Sequence, residues 1–208
     1  MKTIFWNVDT ANDFMYESGK LYVNHAETIE DNLYTITKKA RKYKKKVVNT
    51  GDLHDKDSKE LSDNPDYKNT YPEHCMRGTS GADFIKATTP SNPYVVDWKD
   101  ERFDENKIKS TRNIILYKDH FDIFQGNKHA DMIVNLIKPD RAIVYGVATN
   151  VCVNYAVLGL LERGIEVYVP IDAIKELPNL PFEEVLDKWK DKGAKLITVN
   201  DLEKILQE

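Results

Sequence analysis

Cys152 sits in the stretch Gly146-Val147-Ala148-Thr149-Asn150-Val151-Cys152-Val153, directly after an apolar run, Arg141 to Tyr145, that reads as a buried strand. A helical pattern begins near Asn150, with Val153, Val157, Leu160 and Leu161 on one face, so the thiol falls in the first turn of a helix. A thiolate there is favoured by the helix dipole and by backbone N–H groups. The same N–H groups can form an oxyanion hole for a tetrahedral intermediate. The chemistry implied is attack by sulfur on an electrophilic carbon. A lone cysteine is more commonly a small core residue, and the neighbouring strand ends decide between the two readings.

Asp9 ends the first candidate strand and Lys118 ends another, in Tyr117-Lys118-Asp119-His120-Phe121. Each alone has an ordinary explanation as a turn cap or a solvated strand end. Together with Cys152 they bring an acid, an amine and a thiol to one rim. Asp9 can take the thiol proton, and Lys118 raises the local positive potential. Asp52-Leu53-His54 follows a further strand, and an Asp-x-His pair in extended chain points both side chains to the same side. With His74 they make a carboxylate and two-imidazole set suited to Zn, Fe or Mn. Cys75, beside His74, is assigned to packing, because one ion rarely takes both of two sequence neighbours.

These residues need a scaffold that delivers them to one edge. Candidate strands are 3–8, 46–50, 113–117, 141–145, 166–169 and 195–198. Helical patterns lie near 25–43, 126–137, 151–163 and 182–192, with a short last helix from Leu202. Gly164 and Gly193 stand where helix C-caps are expected. Continuous rather than alternating apolarity predicts a mostly parallel sheet covered on both faces. The expected fold is therefore a three-layer αβα, Rossmann-like α/β domain of about six strands spanning 1–208. Ligands in such sheets bind beyond the strand carboxyl ends. An excursion at about 53–110, holding Pro65, Pro72, Pro90 and Pro93, is too long for a passive connection and carries the metal-type residues. Its 94–103 portion reads as a small hairpin without an assigned role.

Hydrophobic residues make up 41% and charged residues 31% of the 208, which excludes a disordered chain. A net charge of −4 gives no electrostatic case for nucleic acid or a membrane surface. No apolar run approaches the roughly 18 residues of a membrane span. The first residues turn acidic too early for a signal peptide. Two cysteines make no disulfide framework, so a reducing cytoplasm is the simplest setting. The basic run 38–46 closes a helix whose first turns carry Glu27, Glu30 and Asp31, and it reads as a solvated helix end.

The chain resembles the isochorismatase-like cysteine hydrolases, and within them the nicotinamidases (pyrazinamidases). The resemblance runs from Ile4 to about Val199. It rests on Val8-Asp9-Thr10-Ala11-Asn12-Asp13-Phe14, Thr50-Gly51-Asp52-Leu53-His54, the segment from Tyr71 to Gly81, Tyr117-Lys118, and the segment from Gly146 to Val153. Each motif is weak alone, but the five occur in order. The resemblance implies Cys152 as nucleophile, Asp9 as base and Lys118 as the residue holding both. It implies an oxyanion hole from the N–H groups of Ala148 and Cys152, beside a cis peptide at Val147-Ala148. Asp52, His54 and His74 would bind one divalent ion, zinc first with iron or manganese as alternatives. Asp66 is the candidate for a further carboxylate ligand. Phe14, Tyr71 and Phe121 would flank the substrate ring. The implied partner is a small-molecule amide, and self-association is common in the family. Two positions depart from the pattern: Ala11 replaces a common glutamine, and Asn150 replaces a common aspartate, a change that still leaves a helix-capping side chain. Alternatives are hydrolysis of another amide, ureide or vinyl ether, or a catalytically silent metal-binding or interaction protein. The Asp-x-His plus His set favours nicotinamidase.

Overall fold

The central apolar segments become strands buried on both faces. Ile4, Phe5, Trp6 and Val8 are buried in β1 (Thr3–Val8), although its side chains point alternately to the two faces. In a computed structural model, which describes residues 1–178 and 181–207, β1 leads to α1 (Asn12–Met15), α2 (Glu30–Lys42) and β2 (Lys46–Asp52). The excursion follows, carrying β3 (Tyr94–Val96) and α3 (Glu105–Ser110). Then come β4 (Asn113–Lys118), α4 (Ile123–Gly126), α5 (Ala130–Ile137), β5 (Arg141–Val147) and α6 (Asn154–Glu162). The chain closes with β6 (Glu166–Pro170), β7 (Ile174–Lys175), α7 (Phe182–Asp191), β8 (Lys195–Ile197) and α8 (Leu202–Gln207).

The strand order is β3-β4-β2-β1-β5-β6-β8, with β7 added against β5, and every pairing is parallel. Helices cover both faces. On one face, Lys39 and Lys42 of α2 pair with Glu203 of α8. On the other, Phe124 of α4 stacks on Trp6, and Trp189 of α7 donates to Asn154 of α6. From β1 the sheet grows one way through β2 and the other way through β5. The crevice beyond β1 and β5 is thus the switch point where ligands bind in such sheets.

The expected parallel αβα fold holds, and the short strands β3 and β7 bring the expected count of about six to eight. Several other expectations need correction. The 94–103 segment is not a hairpin: Tyr94–Val96 is a parallel edge strand on β4. Trp98 in that segment donates its ring N–H to the Leu53 carbonyl and so pins the link between Asp52 and His54. The pattern at 126–137 splits into α4 and α5 because the Asn127 side chain donates to the carbonyls of Val96 and Tyr117 instead of continuing a helix. The pattern at 25–43 opens with a 3₁₀ turn, Ala26–Ile29, before α2. Cys152 lies not in the first α-turn but in a π-turn, Thr149–Val153, that precedes α6. Gly164 and Gly193 directly follow the C-cap residues Arg163 and Lys192, and both take positive φ, as expected for a helix end. No described helix is long and apolar enough to cross a membrane.

Candidate active site

Parallel register assembles the site. Asp52 and Lys118 are direct partners on β2 and β4, and Val8, just before Asp9, pairs with Gly146 on β5. Gly146 is required there: its φ is +118°, and a Cβ would lie 2.0 Å from the Val8 carbonyl oxygen. The peptide bond that follows, Val147–Ala148, is cis. Asp9 leaves the sheet at φ +48°, a conformation disfavoured for a residue with a Cβ. It is held by Thr50, whose hydroxyl donates to Oδ1 at 2.8 Å.

Lys118 is the hub. Its ammonium lies 2.9 Å from Asp9 Oδ2, hydrogen-bonds Asp52 Oδ1 and sits 3.7 Å from Cys152 Sγ. Lys118, Asp9 and Asp52 are essentially inaccessible to solvent. Burial alone would push the lysine down, but the two carboxylates outweigh it and hold its pKa well above the ordinary value. Burial is also the largest influence on Asp9, and it keeps that carboxyl above the usual range despite Lys118. Burial likewise raises the Cys152 thiol well above a free cysteine, with Lys118 pulling the other way. The resting arrangement is therefore a thiol beside a carboxylate of raised basicity, with a fixed cation between them.

Asp52 joins this triad to a second cluster. Asp52, His54, Glu60 and His74 each offer a donor atom, and these atoms lie within 4.8 Å of one another. Backbone pairing brings the histidines together, since His54 N–H donates to Cys75 O and Arg77 N–H donates to His54 O. Asp13 anchors the same loop by accepting the Cys75 N–H at 2.7 Å. Cys75 itself is buried, and desolvation raises its thiol.

The outer imidazole nitrogens are already committed. His54 Nδ1 bonds Asp119 Oδ1 at 2.9 Å, and His74 Nδ1 bonds the Pro72 carbonyl at 2.7 Å. Both Nε2 atoms, Asp52 Oδ2 and Glu60 Oε2 are buried without a hydrogen-bond partner. Burial, then the charge of Asp52, pushes Glu60 up to about 7. Four orphaned donors with a surplus of carboxylates over Lys118 fit a divalent cation.

Asp66 does not take part. It is exposed, and its carboxylate accepts the backbone N–H groups of Lys68, Asn69 and Thr70, which close a loop of its own. The carboxylate beside His74 is Glu60, whose Oε1 lies 3.8 Å from Nε2. Asn150 does not cap a helix. Its side chain bonds both the N–H and the carbonyl of Leu177 and holds that residue at the pocket wall. Ala11 pairs with Phe84 through a short antiparallel bridge.

The pocket over Cys152 is a narrow one of about 20 Å³, lined by Phe14, Tyr71, Phe121, Leu177, Ala148 and Val151 together with Asp52, Glu60, His74 and the thiol. The Phe14 and Tyr71 rings lie 5.3 and 6.3 Å from that of His74. Sequence reasoning missed Glu60, Thr50 and Asp119. For Asp119, its position directly after Lys118 was an available signal.

A family model for the isochorismatase domain matches residues 3–201. The chain belongs to the isochorismatase family. A curated relative, the nicotinamidase/pyrazinamidase of Mycobacterium tuberculosis, is 27% identical over 169 residues, covering 79% of this chain and 82% of that one. Among solved structures, the pyrazinamidase of Pyrococcus horikoshii in complex with zinc superposes with a TM-score of 0.75 at 23% identity, over 95% of this chain and 99% of that one. The N-carbamoylsarcosine amidase of Thermoplasma acidophilum gives 0.71 at 21% identity, over 96% and 98%. Isochorismatase-family chemistry is thus shared by proteins named for different amides, and the substrate must be argued from the site.

Proposed function

We propose that this chain hydrolyses nicotinamide to nicotinate and ammonia through a thioester on Cys152. One observation supports this most: Asp52 bonds Lys118 of the thiol triad and belongs to the Asp/His/Glu cluster, and Cys152, Asp52, Glu60 and His74 line one pocket. A ring held at the cluster would present its carboxamide to sulfur. The pocket is narrow and apolar-walled, and its Phe14, Tyr71 and Phe121 rings suit a small flat aromatic ligand.

Asp9 accepts the proton of the Cys152 thiol, and sulfur attacks the carboxamide carbon, sending the carbonyl electron pair to oxygen. The N–H groups of Ala148 and Cys152 hold that oxyanion, a contribution of about 3 kcal/mol for each donor. The tetrahedral species collapses, the C–N bond breaks, and nitrogen takes the proton from Asp9 and leaves as ammonia. Water then gives a proton to Asp9 and adds to the thioester. The C–S bond breaks and the proton returns to sulfur. Lys118 stays protonated throughout and offsets the negative charge that moves between Asp9 and Cys152. Asp52, His54, Glu60 and His74 would hold one divalent ion, zinc in preference to iron or manganese given two imidazoles, whose Lewis acidity supplies a grip for the ring nitrogen. The product would feed NAD salvage, and the two free cysteines suit a reducing cytoplasm.

The test is ammonia or product release from nicotinamide, an N-carbamoyl amino acid and a vinyl ether under identical conditions. The expected result is a kcat/KM for nicotinamide at least about 100-fold above the others. A preference for the ureide or the ether assigns the chain to another branch of the family.

A further inference from the structure

The basic run that closes α2 is not uniformly solvated. Lys39 and Lys42 are paired with Glu203, and Lys46 donates to the Ile108 and Thr111 carbonyls at the end of α3. Arg41 has no side-chain partner among the described residues. It stands at the wall of a cavity of about 140 Å³ that also takes Val47, Asn113 and Arg112, at the amino-terminal starts of β2 and β4. Asp52 and Lys118 lie at the opposite ends of those strands, so this cavity is separate from the site above.

The floor is formed by Asn49, Thr88 and Tyr145, all buried. Two of the three are satisfied. The Asn49 side chain donates to the Ile114 carbonyl and accepts from Asn7, and the Thr88 hydroxyl bonds that of Thr10 at 2.7 Å. Tyr145, only 1% exposed, has no hydrogen bond from its hydroxyl to any described residue. A buried phenol normally has a partner. Burial raises its pKa, so it remains a donor.

The walls add positive charge. Arg112, like Arg41, has no side-chain partner among the described residues. An adjoining hollow of about 360 Å³ shares Thr37, Arg41 and Thr89 with the first and adds Tyr34, Lys38 and Lys86. Among the described residues no carboxylate lines either hollow, in a chain whose net charge is −4. Two guanidinium forks supply two positive charges, and the neutral hydroxyl a further donor, a set whose charge matches a phosphate dianion. The exposed ring of Tyr34, with Lys38 5.4 Å from its centroid, offers an apolar face beyond it.

We propose that this second cavity binds the phosphate of a small phosphate monoester through Arg41, Arg112 and the Tyr145 hydroxyl, with the organic part running into the hollow beside Tyr34. The proposal is independent of the substrate of the Cys152 site.

The experiment is calorimetric titration of the metal-replete protein at low salt with AMP, ribose 5-phosphate, inorganic phosphate and adenosine. AMP or ribose 5-phosphate should bind with Kd below about 1 mM, more tightly than inorganic phosphate, while adenosine should not bind. Arg41→Ala and Arg112→Ala should each weaken the ester by at least about fivefold, with circular dichroism unchanged because both side chains are exposed. Tyr145→Phe should weaken it by about threefold or more. Three results would overturn the proposal: no ester binding at about 1 mM, adenosine binding as tightly as AMP, or arginine variants within about twofold of the parent. Inorganic phosphate binding more tightly than both esters would also overturn it, by leaving the organic part without a place.

Discussion

Replacing Lys118 by methionine removes the cation wedged between Asp9 and Asp52 while keeping an unbranched side chain of similar reach. At the 2.9 Å separation from Asp9, an effective dielectric of about 20 gives an attraction of about 6 kcal/mol. Desolvation of both charges offsets much of it, and removing one partner of such a buried pair costs about 3–5 kcal/mol. The loss must depend on pH. Asp52 lies below the usual carboxylate range in the parent: burial pushes it up, and Lys118 together with His74 and His54 outweighs that effect. Its contribution is therefore present above the unfolded pKa and is lost only in strong acid. Asp9 already lies above the usual range and rises further without Lys118, so proton uptake relieves the variant as pH falls. Urea unfolding at about pH 8 and about pH 5 should show the variant destabilised at both, with the smaller gap at the lower pH. Turnover should fall by at least about 10³-fold with a much smaller change in KM. A loss below about 1 kcal/mol, or one that is the same at both pH values, would refute Lys118 as the hub.

Cys152→Ala should abolish turnover, by at least about 10⁴-fold, yet unfold at nearly the parent's urea midpoint; covalent capture of an aldehyde analogue at Cys75 instead would show that the other thiol reacts. Because the base must be ionised and Asp9 is held above the ordinary aspartate range, kcat/KM should fall on the acid side at a pH above that range, and Asp9→Asn should remove that limb together with turnover. Asp119→Asn should weaken zinc affinity by about 10- to 100-fold, measured by chelator competition, because it loosens the orientation of His54; unchanged affinity would leave Asp119 with no part in the cluster.

The triad was legible because its members lie at or just beyond strand ends. Once the sheet is parallel, the register of β1, β2, β4 and β5 carries Asp9, Asp52, Lys118 and the turn before Cys152 to one rim. Asp52 and His54 were legible from the period of extended chain. Glu60 was not, because no periodicity governs the excursion. Its approach to His74 depends on pairing between Leu61 and Tyr71 that spans the loop containing Asp66. A carboxylate in that loop is as easily spent on neighbouring N–H groups, as Asp66 is. The edge strand at Tyr94–Val96 was hidden by its length, three residues bounded by prolines and charges. The unpartnered hydroxyl of Tyr145 has no sequence signature, since the run around it reads only as a buried strand.

The most direct test of the central claim is ammonia release from nicotinamide and from benzamide, measured with the metal content of the same sample before and after chelation. If the Asp52, His54, Glu60 and His74 cluster grips the ring nitrogen, one ion per chain should be found. Chelation should then raise KM for nicotinamide strongly, and benzamide should remain poor with or without the ion. Equal turnover of the two amides, or nicotinamide kinetics unchanged after the ion is removed and after His54→Ala, would contradict the account.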